Sequence, residues 1–304
     1  MNINILGIDI AKNVFQLHGV DKSGQAVLKK RLSRDKLLSF IAQLSPCAIV
    51  MEACSGSNYW SRQFKKLGHE VKLISPQYVK PFVKTNKTDA NDAQAICEAA
   101  CRPSMYFVAP KNIEQQNIQA IHRVRERLIG NRTKLANQIR GLLAEHGIIL
   151  AKGIWHIRNQ MCDILEDAEN ELMSDSRIMF HELYEELCQI DERIKNYDKK
   201  LEMIFKQNEV CQRLSAIEGL GIISTTVLIA AIGDVKVFKN GRQMSAWLGL
   251  TPKQHSSGDK KIILGISKRG DSYIRKTLIH GSRSVVYRAK NKTDKQYYTK
   301  ARRK

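Results

Sequence analysis

The 304-residue chain has only six prolines and three tryptophans, and nowhere does it approach the ~20 consecutive apolar residues a membrane span needs. Scarce proline argues against long disordered tracts. The first ten residues, Met1 to Ile10, have no cationic segment ahead of a long apolar run, so a secretory leader is not expected either. The seven cysteines (Cys47, Cys54, Cys97, Cys101, Cys162, Cys188, Cys211) are scattered, odd in number and include no Cys-x-x-Cys pair, so neither a disulfide framework nor a zinc site is suggested. Acidic residues are also in short supply, at 30 against 50 Lys and Arg.

What is present is positive charge. The net charge is +20, and from Lys236 to Lys304 there are 19 basic and 3 acidic residues, a net of +16. An excess this concentrated favours contact with a polyanion, nucleic acid first, over a merely solubilising surface. The length allows two domains with separate cores, or one domain with a long helical insertion.

The first third alternates strand and helix patterns. Ile3 to Ile10, Val14 to Val20 and Gln25 to Leu32 read as strands, with a turn at Asp21-Lys22-Ser23-Gly24. Ser33 is expected to cap a helix through Leu44. Cys47 to Glu52 reads as a buried strand, Ser57 to Leu67 as a helix closed by Gly68, and Val71 to Ile74 as another strand, in the order of an RNase H-like sheet. Long helices follow. Phe180, Leu183, Leu187, Ile190, Ile194, Tyr197, Leu201 and Ile204 step alternately by three and four, an a/d heptad seam whose partner is either the Ile121, Val124, Leu128, Leu135, Ile139, Leu142 stripe of the same chain or a second subunit. The expected organisation is an α/β catalytic domain over 1–110, a helical coiled-coil segment over 111–210 and a mainly α domain over 211–304.

Four acids stand out. Asp9 lies within the apolar strand Gly7-Ile8-Asp9-Ile10, where an isolated charge is expensive to bury, and Glu52 ends the strand Val50-Met51-Glu52. Gly-Ile-Asp also opens sugar kinases and actin-like ATPases, but Ala11 and Lys12 follow here instead of phosphate-binding glycines. In Lys87-Thr88-Asp89-Ala90-Asn91-Asp92, the two aspartates are three apart and share one face at the start of a helix. Each acid alone is commonly a cap or ion-pair member. Together they are a hard-oxygen ligand set for Mg²⁺, and two such ions clamp the attacking and leaving oxygens of a phosphodiester.

These motifs resemble the DEDD tetrad of the insertion-sequence transposases related to the Piv invertase, the bridge-RNA-guided recombinases. The C-terminal third agrees, through Ile217-Glu218-Gly219-Leu220-Gly221, Ala246-Trp247-Leu248-Gly249-Leu250-Thr251-Pro252, Ser256-Ser257-Gly258 and Gly265-Ile266-Ser267-Lys268-Arg269-Gly270. The resemblance covers nearly the whole chain. It implies a RuvC-like N-terminal domain, with Asp9, Glu52, Asp89 and Asp92 as catalytic acids holding Mg²⁺, two ions with Mn²⁺ able to substitute. It places a nucleophilic serine before glycine at Ser257, with Ser256 the rival, and a phosphoserine ester would conserve the energy needed to rejoin strands. Without that context, Ser256-Ser257-Gly258-Asp259 reads as a turn.

The implied activity is transposition by site-specific DNA recombination, directed by a structured guide RNA. The alternatives are a Holliday-junction nuclease and a catalytically decayed nucleic-acid-binding protein. Donor and target DNA, the guide RNA and a homodimer or homotetramer are the expected partners, in the cytoplasm of a bacterium and at the nucleoid when DNA is bound. Two departures are visible: Gly258-Asp259-Lys260 stands where many relatives have Gly-Gly-Lys, and the chain stops at Arg303-Lys304 where many continue, which allows for a shortened, less active copy.

Lys268, Arg269, Arg275, Lys276 and Arg283 are expected to line a nucleic-acid-binding surface. Gly219 and Gly221 belong either to a helix-hairpin-helix phosphate contact or to a glycine turn that packs two helices. Trp155 and Trp247 are expected in the core and not as base-stacking residues.

Overall fold

The computed structural model describes residues 2–83, 88–233, 235–257 and 260–290, without the side chains of Ser257, Lys261 and Lys290. The chain divides into two compact units, 1–115 with 232–235, and 116–231 with 236–304.

In the first unit, β1 (Ile5–Ile10), β2 (Val14–Val20) and β3 (Ala26–Ser33) form an antiparallel meander. The β2–β3 turn is built by Asp21, whose carboxylate accepts from the Ser23 and Gln25 amides, with Gly24 at φ +82°. Helix α1 (Arg34–Ala42), β4 (Ala48–Glu52), α2 (Ser57–Lys66), β5 (Glu70–Ile74), α3 (Pro76–Val79), α4 (Asp89–Ala100) and the short β6 (Phe107–Val108) follow. The six strands lie in the order β3-β2-β1-β4-β5-β6, with β4 parallel to β1 and β5 parallel to β4. Ser33 differs from expectation, since its side chain makes no cap bond to α1.

The sheet is covered on both faces. On one, α1 and α2 bring Leu37, Ile41, Trp60 and Phe64 against Leu6, Ile8, Phe15 and Met51, and the Trp60 ring meets Phe15 edge-on at 5.0 Å. Burying each of these large side chains stabilises the unit by roughly 1.5–3 kcal/mol. On the other face, Ala95, Ile96 and Ala99 of α4 pack with Val50, Ile74 and Val79. Gly7 makes that packing close: a Cβ there would stand 2.6 Å from the Ala93 carbonyl oxygen and 2.8 Å from the Cys97 sulfur. The Gly7 amide instead donates to Cys97 Sγ at 3.1 Å, and the thiol donates to the His18 carbonyl at 2.9 Å.

The second unit is mainly helical. Helices α5 (Ile113–Glu145), α6 (Ile154–Glu166) and α7 (Ser174–Gln207) share a core of Leu128, Leu135, Ile139, Ile157, Met161, Phe180, Leu187 and Ile190. The heptad seam of α7 is therefore buried within this chain, against the α5 stripe. Arg132 of α5 and Arg158 of α6 both donate to the buried Asp191 carboxylate of α7. Next come α8 (Glu209–Ser215), α9 (Ile222–Ala231), α10 (Gly241–Trp247), a hairpin of β7 (Pro252–Ser257) and β8 (Lys260–Ile266), and α11 (Ser272–Lys290). The expectation for the tryptophans is corrected: Trp155 is 61% exposed, and Trp247 is 37% exposed beside Phe238. Trp155 lies in the first turn of α6 and Trp247 is the last residue of α10, so each stands next to a connection at a helix end.

Candidate active site

The four predicted acids come together at one end of the first unit's sheet. Gly7 and Ile8 pair with Val50 and Met51 across parallel strands, so Asp9 and Glu52 occupy neighbouring positions at the C-terminal ends of β1 and β4. The contact at Gly7 sets the first turn of α4, with Asp89 and Asp92, beside that end. Thr88 caps the helix by accepting from the Asn91 amide at 3.3 Å.

Burial, followed by the charges of Asp92, Asp89 and Glu52, pushes the half-buried Asp9 carboxyl up to about 6. All three other acids therefore act on Asp9. They do not close on a point: among the described residues, no three acid, histidine or cysteine side chains stand together as a metal-binding group. The donor chemistry nevertheless suits a hard divalent cation, because every principal donor is a carboxylate and their mutual repulsion calls for positive charge.

Beside the acids lies a cleft of about 240 Å³ that the sequence reading missed, lined by Gln16 and His18 of β2, Lys29 and Arg31 of β3, and Asn91 and Gln94 of α4. Burial and Lys29 hold the His18 imidazole below its ordinary value, against the pull of Glu98. Its sequence signal was weak, a Lys-x-Arg alternation in a strand, which usually marks a solvated face.

The second predicted motif set builds the region around the β7–β8 hairpin. Ser257 pairs with Lys260 and Ser256 with Lys261, so the tetrapeptide read as a turn begins on a strand. The Ser256 hydroxyl accepts from Gln254 at 2.8 Å. The Ser257 side chain, Gly258 and Asp259 lie outside the described residues. The Leu248–Leu250 and Lys268–Gly270 segments interlock, because a Cβ on Gly270 would sit 2.2 Å from the Trp247 carbonyl oxygen. The Lys268 amide donates to the Gly249 carbonyl at 3.0 Å.

The basic residues divide. Lys268, Arg269 and Arg283 are exposed, whereas Lys276 is exposed but reaches Glu126 at 3.5 Å. Arg275 does not belong to the surface: it is 9% exposed, and its guanidinium donates to the carbonyls of Leu248 at 3.1 Å and Gly270 at 3.0 Å. Gly219 (φ +88°) faces Gly281 of α11, where an added Cβ would stand 2.0 Å from the Gly219 carbonyl oxygen, as in a packing turn. Nothing lies within 4 Å of a Cβ placed on Gly221.

Residues 6–148 match a DEDD transposase family of the IS110 type, and residues 211–299 match the family described as Transposase IS116/IS110/IS902. The chain is 46% identical over 295 residues to the transposase for insertion sequence element IS1111A of Coxiella burnetii, covering 97% of this chain and 81% of that protein. It is 45% identical to a probable family 20 transposase of Pseudomonas aeruginosa (97% and 87% covered), and 41% identical to the transposase for insertion sequence element IS1328 of Yersinia enterocolitica (94% and 85% covered). With both motif sets in place and this identity along nearly its whole length, the chain belongs to the IS110/IS116 family of insertion-sequence DEDD transposases.

Proposed function

We propose that this transposase cuts and rejoins DNA strands by attack of Ser257 on a phosphodiester at the four-acid cluster, under the direction of a structured guide RNA. The observation that carries the reading is Asp9, held at a strand end in the combined field of Asp92, Asp89 and Glu52. The strand order, an antiparallel three-strand meander continued by parallel β4 and β5, supports an RNase H-like, RuvC-type domain over 1–110. In this reading 111–210 carries assembly into a dimer or tetramer, and 211–304 presents the serine.

Asp9, Glu52, Asp89 and Asp92 would hold Mg²⁺, which when bound supplies Lewis acidity toward the phosphate oxygens. The protein's own part is to hold these acids beside one another at the end of the sheet and to place the serine. Attack of the serine oxygen on phosphorus forms a P–O bond and releases a 3′-hydroxyl strand; attack by another 3′-hydroxyl then reverses the step and frees the serine.

The test is incubation of the full chain with DNA spanning its own element ends, the RNA transcribed beside its gene and Mg²⁺, followed by denaturing electrophoresis. A covalent protein–DNA adduct is expected, lost in Ser257→Ala and Asp9→Asn and kept in Ser256→Ala. Normal cleavage by Ser257→Ala would overturn the serine mechanism in favour of attack by water.

A further inference from the structure

The cleft beside the acids has a composition that the cutting chemistry does not itself require. Register places Asp9 opposite Gln16, and Gln16 opposite Arg31, so one row of residues runs from the acid cluster across β2 to β3. With strands ~4.8 Å apart, Arg31 stands about 10 Å from Asp9 across the sheet, roughly three base steps of a stacked nucleic-acid strand at ~3.4 Å each. Lys29 and His18 pair two residues further along the meander, and Asn91 and Gln94 of α4 form the opposite wall.

The electrostatics of this arrangement are specific. A phosphodiester that approaches four carboxylates meets repulsion, which cations in contact with the neighbouring phosphates of the same strand offset. Lys29 and Arg31 are exposed, and among the described residues neither forms an ion pair. The adjacent Lys30 also borders the cleft, but its ammonium lies 4.3 Å from the centre of the Phe40 ring on the α1 side. Glu98, whose charge acts on His18, takes a hydrogen bond from Gln94 at 3.1 Å. Amide donors on both walls and the Arg31 guanidinium on one are groups that contact phosphate and sugar oxygens.

We propose that this cleft seats the sugar–phosphate backbone of a nucleic-acid strand leading to the phosphate at the acids, with Lys29 and Arg31 as its phosphate contacts. The inference rests on the acid cluster being the place of cutting, but its test does not require cutting. Binding of labelled single-stranded DNA and RNA oligonucleotides to the full chain would be measured by anisotropy over a range of salt, for wild type, Lys29→Gln/Arg31→Gln and Lys30→Gln.

The double variant is expected to reduce the slope of log K against log salt by about 1.4, the value for two lost single-strand phosphate contacts. Lys30→Gln, which removes one charge whose ammonium lies on the α1 side, should leave the slope as in wild type. A loss with DNA alone, RNA alone or both supports the site and names its strand. An unchanged slope in the double variant, or an equal loss in Lys30→Gln, overturns it. Cleavage that survives Asp9→Asn would instead overturn the assignment of the acids and leave the binding result standing.

Discussion

Acidification should destabilise the second unit through one residue, His122. It is 1% exposed on α5, with Nδ1 3.1 Å from the Tyr273 hydroxyl of α11 and Nε2 3.0 Å from Thr226 Oγ1 of α9. The Thr226 hydroxyl is 2.6 Å from the Ile222 carbonyl, to which it donates. It therefore accepts from Nε2–H, and Nδ1 accepts from the tyrosine, which assigns a neutral tautomer.

Burial, and secondarily Arg125, push this imidazole down to about 4. An unfolded histidine titrates near 6.5, so between these values the unfolded chain binds the extra proton; the contribution is complete above about pH 6.5 and is lost as pH falls toward about 4. The full difference is worth about 3 kcal/mol, of which about 2 kcal/mol is gone by about pH 5. Urea unfolding of wild type and His122→Gln near pH 7 and near pH 5 measures it. The variant should be less stable by about 1–2 kcal/mol at the higher pH, with that gap closed or reversed at the lower. A gap that does not change with pH would refute the reasoning.

Gly281→Ala should lower stability by at least 1–3 kcal/mol in a thermal melt, since its Cβ would stand 2.0 Å from the Gly219 oxygen, whereas Gly221→Ala should stay within ~0.5 kcal/mol of wild type. Arg275→Met should leave two buried carbonyls short of a donor and destabilise by about 1–3 kcal/mol for each. Arg269→Gln should leave the melt unchanged and, if Arg269 contacts a phosphate, lower the salt slope of DNA binding by about 1. Asp9→Asn removes a carboxylate whose ionisation is opposed in the fold, so above about pH 6 it should melt no lower than wild type while losing strand cleavage. Mg²⁺ should then raise the melting temperature of wild type more than that of the variant; equal shifts would separate the metal from Asp9.

The order of the first five strands and the positions of the four acids were legible because each acid interrupts an otherwise apolar or capped pattern. Val14 to Val20 was read as a strand and is β2 residue for residue. The α7 seam was legible as a buried stripe, but its partner was not, because a 3-4 period specifies a neighbour without saying which chain supplies it. Arg275 shows a different limit. It sits in a basic run like its neighbours, and only the fold reveals that its guanidinium is spent on two carbonyls. Lys29 and Arg31 fail in the opposite direction, since exposed cations on a strand carry no mark until α4 turns that face into a cleft. Trp155 misled by size alone, an apolar ring being a poor guide to burial where a helix begins after a turn.

Helix α4 is held and pushed at once. Its middle is clasped where Cys97 meets Gly7 and His18, while its first turn carries two carboxylates toward two others. That repulsion does not exist in the unfolded chain and arises only as the helix docks, so it counts against docking and not against the sheet. Opening of the first turn should consequently be among the least costly local motions of this unit, with the Asp92 and Ala93 amides exchanging with deuterium sooner than those beside Cys97. A cation bound among the acids would slow the early amides selectively, which ties the readiness of the site to the rigidity of one helical turn.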